Sequence, residues 1–373
     1  MKTLTKQNML DYVTGAVILG CGGGGGASWG TSMIDEAIEG GYEFKLADID
    51  EIDDDQMLCI VAGVGGGVTN EIREKVAPYY KKFEQTPESR LKRLRKAASE
   101  LSDYLGKKIY SFIAAETGGG NGVLPMFLNA LEGNPSVDVD CCGRAKPEMG
   151  ISLTTVAGIS VTPIAMVSPF METVILKSAV DDLRAEDITR SVAVASGGGV
   201  TVARCPATVK DYKRAVAPNQ VSKCIKIGEA VRDAKERGED PSKSFLKASG
   251  ASLIFRGRVT RFESEGRGGF NWGNWHIEGG QDYEGHTLRV WFKNEHLVSW
   301  LDGEPFVSGP DLICIIESGT FEGLSNFVPS ATHDGKVVTV FGLKAIDAWR
   351  TQKGIKLFSP RHFGFDFDYA PRF

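Results

Sequence analysis

Two short stretches hold most of the chemistry this sequence can offer. They are Glu116-Thr117-Gly118-Gly119-Gly120-Asn121 and Asp138-Val139-Asp140-Cys141-Cys142-Gly143-Arg144-Ala145-Lys146-Pro147-Glu148. Together they carry carboxylates, an arginine, an amide, adjacent thiols and a glycine run, which suits the attack of water on an electrophilic carbon. Glu116, Asp138 and Asp140 are the candidate general bases. A carboxylate shielded from water or crowded by another is raised towards neutrality and can take a proton from water. The N–H groups of Gly118, Gly119 and Gly120, with the Asn121 amide, are candidate donors to charge developing on oxygen or sulfur. Arg144 can hold a substrate carboxylate in a two-pronged fork, with Glu148 at the same site. The plainer alternatives are helix caps and turns for the carboxylates, and an Arg144–Glu148 ion pair at a spacing of four.

A divalent metal such as zinc is the other way to activate water, with Asp140, Cys141 and His296 as candidate ligands. Neighbouring residues of a strand face opposite ways, so only one of Cys141 and Cys142 can reach such a site. The chain has no CxxC pair and no His-x-x-x-His spacing, so a closed structural zinc site has no support.

Positioning these groups requires strand, glycine turn and helix in succession. The apolar run 109–115 reads as a buried strand that the glycines stop. Residues 123–131 have helical spacing, with Pro125 tolerated in the first turn. Residues 137–142 read as a second strand that delivers Asp138 and Asp140. Upstream, a helix over 5–19 runs into the glycine run 22–26. Gly23 and Gly24 are candidates for close backbone approach to a ligand, or for a tight crossing between helices. The run lacks the Gly-Lys-Ser/Thr ending of a P-loop, and a nucleotide-binding module ranks last. Strand 57–64, the turn Gly65-Gly66-Gly67-Val68-Thr69-Asn70 and a helix over 71–83 form another such unit. If these runs are parallel strands, the turns at Gly22, Gly65, Gly118 and Gly143 share one sheet edge and one crevice. The expected fold is therefore an α/β N-terminal domain over 1–169, mostly a parallel sheet with flanking helices. Segment 150–168 reads as its closing strands.

From residue 170 the texture changes. Helices are expected over 185–196 and 219–237, then short strands separated by Asp302-Gly303, Gly309-Pro310 and Asp334-Gly335. This gives a β-rich α+β C-terminal domain over 170–373. Trp272 and Trp275 lie in a glycine-rich segment and read either as an aromatic lid or as the core of a hairpin.

With 373 residues the chain exceeds one ordinary core, consistent with two domains. A net charge of −5 gives no general pull towards nucleic acid or anionic membrane. No apolar run approaches the ~20 residues of a membrane span, and the N-terminus lacks the apolar core of a signal peptide. The expectation is a cytoplasmic protein acting on a small molecule, with a homo-oligomer as the base-rate assembly. The cysteines are odd in number and several lie in apolar strands, which fits buried free thiols.

These motifs resemble a known family. Residues 20–26 after an apolar helix, Glu116-x-Gly-Gly-x-Asn121, and Asp138-x-Asp140-x-x-Gly143-Arg144-Ala145-x-Pro147-Glu148 are similar to the N-terminal domain of the S-methyl-thiohydantoin desulfurase family. Phe255-x-Gly257, Asn294-Glu295-x-Leu297-Val298, Pro310-Asp311-Leu312-Ile313 and Gly364-Phe365 resemble its second domain. Relatives often carry Gly-Ala-Pro-like residues where Gly65-Gly66-Gly67 stands here, a change that bears on substrate choice. The resemblance implies a hydrolase-type desulfurase acting on a thiohydantoin-like ring, a cyclic thio-ureide or ureide. It also implies an alternative, a non-catalytic partner subunit of a hydantoinase or oxoprolinase-like assembly.

Overall fold

The computed structural model describes residues 1–65 and 68–373; Gly66 and Gly67, within the glycine turn expected after Val64, lie outside the described residues. A five-stranded sheet organises the first half, in the order Ser111–Ile113, Met57–Gly65, Gly199–Thr208, Ile164–Val167, Thr173–Leu176. Met57–Gly65 is a nearly continuous apolar run, as a strand covered on both faces should be. It pairs in parallel with Ser111–Ile113. Helices Asn70–Lys82 and Pro87–Leu105 lie between them in sequence, the kind of long crossover that parallel pairing requires. Ala114 adds a parallel bridge to Asp140.

The other pairings in this sheet are antiparallel, which corrects the expectation of a mostly parallel one. The cause is Gly199–Thr208. This strand follows helix Asp182–Ala195 in sequence and inserts between Met57–Gly65 and Ile164–Val167, with Gly199 opposite Gly65. Thr173–Leu176 and Gly199–Thr208 thus belong to this sheet although both lie beyond the expected break after residue 169. Segment 150–168 also departs from the strands expected of it. Ser152 caps a short helix, Leu153–Ala157, which Gly158 ends in the left-handed conformation, and the strand of this segment is Ile164–Val167.

The second half is built on an eight-stranded antiparallel sheet running from Glu304–Ser308 at one edge to Glu322–Gly323 at the other. Its longest pair, Ser252–Arg267 with Phe270–Gly279, is the hairpin that carries both tryptophans. Trp275 is fully buried and donates to Asn326 Oδ1 at 2.8 Å, so it is hairpin core and not a lid. The halves are joined by helices Lys6–Leu19 and Gln220–Glu236, which cross at glycines. A Cβ on Gly15 would lie 2.1 Å from the Cys224 carbonyl oxygen, and one on Gly228 1.9 Å from that of Asp11. All seven cysteines are buried and free. Among the described residues, no helix is long and apolar enough to cross a membrane.

Candidate active site

Glu116 lies just beyond the C-terminal end of strand Ser111–Ile113, at the sheet edge where Met57–Gly65 also ends. It forms part of the wall of a cavity of about 320 Å³ to which both halves of the chain contribute. Its carboxylate is held from two sides. Asn121 Nδ2 donates to Oε1 at 2.6 Å, and the Lys146 backbone N–H donates to Oε2 at 2.9 Å. The residue is only 7% exposed. Burial lifts its pKa above the ordinary carboxylate value, against the pull of Lys146, the Asn121 hydrogen bond and Arg204.

The glycine runs meet backbone to backbone. The Gly24 carbonyl accepts from the N–H groups of Gly120 at 3.2 Å and Asn121 at 2.9 Å. A Cβ on Gly118 would sit 2.2 Å from the Gly24 oxygen, and one on Gly120 1.9 Å from the Trp29 ring. Of the expected row of oxyanion donors Gly118, Gly119 and Gly120, none lines the cavity, and the Gly120 N–H is taken by Gly24. They form a platform for the first glycine loop, and it is Gly24 to Gly26 that reach the cavity. Gly23 packs directly on Glu295, whose Oε1 would lie 2.0 Å from a Cβ at that position.

Several other candidates are engaged elsewhere. Asp138 accepts from the backbone N–H and hydroxyl of Ser222, in the first turn of helix Gln220–Glu236. The residue before that helix, Asn219, makes no side-chain cap, so Asp138 supplies one from a distant part of the chain. Asp140 is buried outside the cavity wall. It accepts from Thr117 Oγ1 and from the N–H groups of Cys142 and Gly143, fixing the turn in which Gly143 has φ +81°. Burial carries its pKa up to about 6 although these hydrogen bonds favour the charged form.

Arg144 is neither a substrate fork nor the partner of Glu148. It is 0% exposed, and its guanidinium donates to the carbonyls of Ala145 (3.1 Å), Asp311 (2.7 Å) and His296 (2.6 Å). Glu148 does line the cavity, paired with Lys293 Nζ at 2.5 Å and His362 Nε2 at 2.8 Å.

The three candidate metal ligands do not converge. Cys141 is sealed in an apolar core, and burial pushes its thiol well above the ordinary range. Both ring nitrogens of His296 face acceptors, Ile313 O at 2.9 Å and Asn326 Oδ1 at 3.1 Å, and burial lowers its pKa to about 3. Among the described residues, no group of three or more His, Cys, Asp or Glu side chains is placed to hold a metal ion.

Residues that sequence reasoning passed over complete the cavity. Glu295 enters from the C-terminal sheet, 2% exposed. Lys146 secures its own turn through the carbonyls of Glu148 and Met149, at 3.1 and 3.2 Å. Arg204 is 2% exposed, and its Nε has no hydrogen-bond partner among the described residues. A signal for Arg204 was present, namely an arginine inside the apolar strand Gly199–Thr208. A charge is seldom buried there without a task.

The Glu148 pair gives the site a pH signature. Burial alone would raise the Glu148 pKa, but His362 and Lys293 outweigh it and take it from 4.5 to about 2. Because the folded value is the lower one, the stabilisation is complete above the unfolded pKa and is lost as pH falls through the folded one. On the order of 3 kcal/mol is expected to disappear between about pH 5 and pH 2. Urea melts across that range should show the loss in the wild type and a flatter profile in Glu148→Gln. Parallel profiles would remove the pair as its source.

Comparison with known proteins adds the following. The family model described as S-Me-THD-like, N-terminal domain, matches residues 7–178, and S-Me-THD-like, C-terminal domain, matches residues 180–372. No curated protein gives a significant match. A crystal structure of a protein from Chromobacterium violaceum is similar over 100% of both chains, with 21% identity and a TM-score of 0.79. At that identity the likeness concerns the fold.

Proposed function

Because the chain belongs to the S-methyl-thiohydantoin desulfurase (S-Me-THD-like) family, matched over both of its domains, we propose that it hydrolyses the exocyclic C–S bond of a thiohydantoin-like ring. The observation that carries this reading is Glu116: a buried, raised carboxylate, held from two sides, on the wall of a cavity between the halves of the chain. The cavity volume of about 320 Å³ suits a five-membered ring with short substituents. Ionised Glu116 takes a proton from water as its oxygen attacks the carbon between the ring nitrogens. Asn121 and the Lys146 N–H fix the direction in which the carboxylate accepts. Lys146 and Arg204 line the cavity and supply positive charge at its wall, which favours negative charge growing on the ring.

The test is the purified chain with a 2-(methylthio) thiohydantoin and no second protein. One methanethiol should be released for each hydantoin formed, followed by thiol titration and chromatography. Turnover that appears only after a hydantoinase-like protein is added would favour the partner-subunit reading.

A further inference from the structure

Glu295 is the first residue of strand Glu295–Leu301 and follows Asn294, which is held at φ +63°. It is one of the residues lining the cavity, and its Oε2 is buried with no hydrogen-bond partner among the described residues. No Lys, Arg or His lies within ion-pair distance of it among the described residues. The first glycine loop is shaped around this group. Oε1 occupies the place a Cβ on Gly23 would need, at 2.0 Å, with Cδ and Cγ both at 2.7 Å. Any side chain at 23 would expel the carboxyl. A buried carboxyl with one oxygen unpaired is costly as an anion and tolerable as an acid, since the acid has an O–H to offer.

We propose that Glu295 is the general acid of this site, giving its proton to the departing sulfur as the C–S bond breaks. This rests on the hydrolytic reading above. Burial and then the nearby charge of Glu116 push its pKa well above the ordinary range, which favours the protonated form that a general acid needs. The steps balance with water as the only co-reactant. The water oxygen bonds to the ring carbon, one water proton passes to Glu116, and the C=N electron pair moves onto the ring nitrogen. The C–S bond then breaks, with its electron pair leaving on sulfur, and Glu295 protonates it to the thiol. The new hydroxyl returns a proton to Glu295 as it becomes the carbonyl, and Glu116 passes its proton to the ring nitrogen. Both carboxyls are thereby reset.

The test uses two substrates, a methylthio and a 4-nitrophenylthio thiohydantoin; the second releases a thiolate that needs no proton. Glu295→Gln is expected to lower kcat about 10²–10⁴-fold for methylthio and far less for nitrophenylthio. Equal losses, or no loss, overturn the assignment. The wild type gives a second reading that depends on no variant. Its kcat should fall at alkaline pH for methylthio and not for nitrophenylthio, and the same fall with both also overturns it. A wild type inert towards both substrates brings down the hydrolytic reading itself. A wild type active on both, beside a Glu295→Gln variant that treats them alike, removes only the acid.

Discussion

Glu116→Gln is expected to lower kcat for thiohydantoin hydrolysis by about 10²–10⁴-fold, with KM near the wild-type value. The fold should tolerate it. A glutamine in this place can keep its oxygen on the Lys146 N–H and turn its NH₂ towards Asn121, whose amide flips to offer Oδ1 in return. Both contacts that now hold the carboxylate, at 2.9 and 2.6 Å, then survive with the basic group gone. The pH dependence supplies an independent sign. Glu116 acts as a base only when ionised, and burial raises its pKa. Wild-type activity should therefore climb with pH at values above the ordinary carboxylate range of about 4.3. Stability should run the other way. An acid whose pKa rises on folding stabilises the fold below its unfolded value, and that contribution is lost as pH rises through the folded one. Kinetics and denaturant melts over the same pH series should show activity rising as this contribution falls; Glu116→Gln should abolish the rise in activity and reduce the fall in stability, leaving the part due to Asp140 and Glu295. Near-wild-type turnover in the variant would remove Glu116 from the chemistry.

What could be read from the chain, and what could not, divides along a physical line. The strand, glycine turn and helix around Glu116 are local, and their residues announce them: an apolar run, glycines, then helical spacing closed by Gly133 in the left-handed conformation. The grouping of Asp138, Asp140 and Arg144 with Glu116 rested on nearness in sequence, and nearness in sequence does not say which partner a side chain finds. Asp138 is taken by a helix N-terminus 84 residues away. Arg144 is taken by carbonyls 152 and 167 residues away. Each is a neighbour of the site in the chain and a structural member in space. Glu295 and Arg204 show the converse. They sit in strands whose other residues are mostly apolar, where a charged side chain is read as an exception until the fold shows that both line one cavity. The sheet direction was hidden for a similar reason. An inserted strand such as Gly199–Thr208 has the same composition whether it runs with its neighbours or against them.

Arg144→Met should destabilise the fold by about 3–5 kcal/mol, and the size of that loss separates a structural arginine from a substrate fork. Methionine fills much of the arginine stem's volume, so packing against the Phe358 ring, 5.3 Å from the guanidinium, is largely kept. What goes is a set of charge-assisted donors to the Ala145, His296 and Asp311 carbonyls. Those oxygens would be left buried and under-satisfied, each at a cost of about 1–3 kcal/mol. Arg144→Lys should recover only part of the loss, because one ammonium cannot reproduce a planar fork with three acceptors. Activity should fall as well, since the guanidinium ties the backbone beside Lys146, whose N–H holds Glu116, to the backbone beside Glu295. That fall should appear in kcat, as the two acids lose their fixed relation, and should leave KM nearly unchanged. A substrate fork predicts the reverse, a large rise in KM with an unaltered urea midpoint. A denaturant melt shifted by less than about 1 kcal/mol, together with weakened substrate binding, would return Arg144 to the ligand side of the cavity wall.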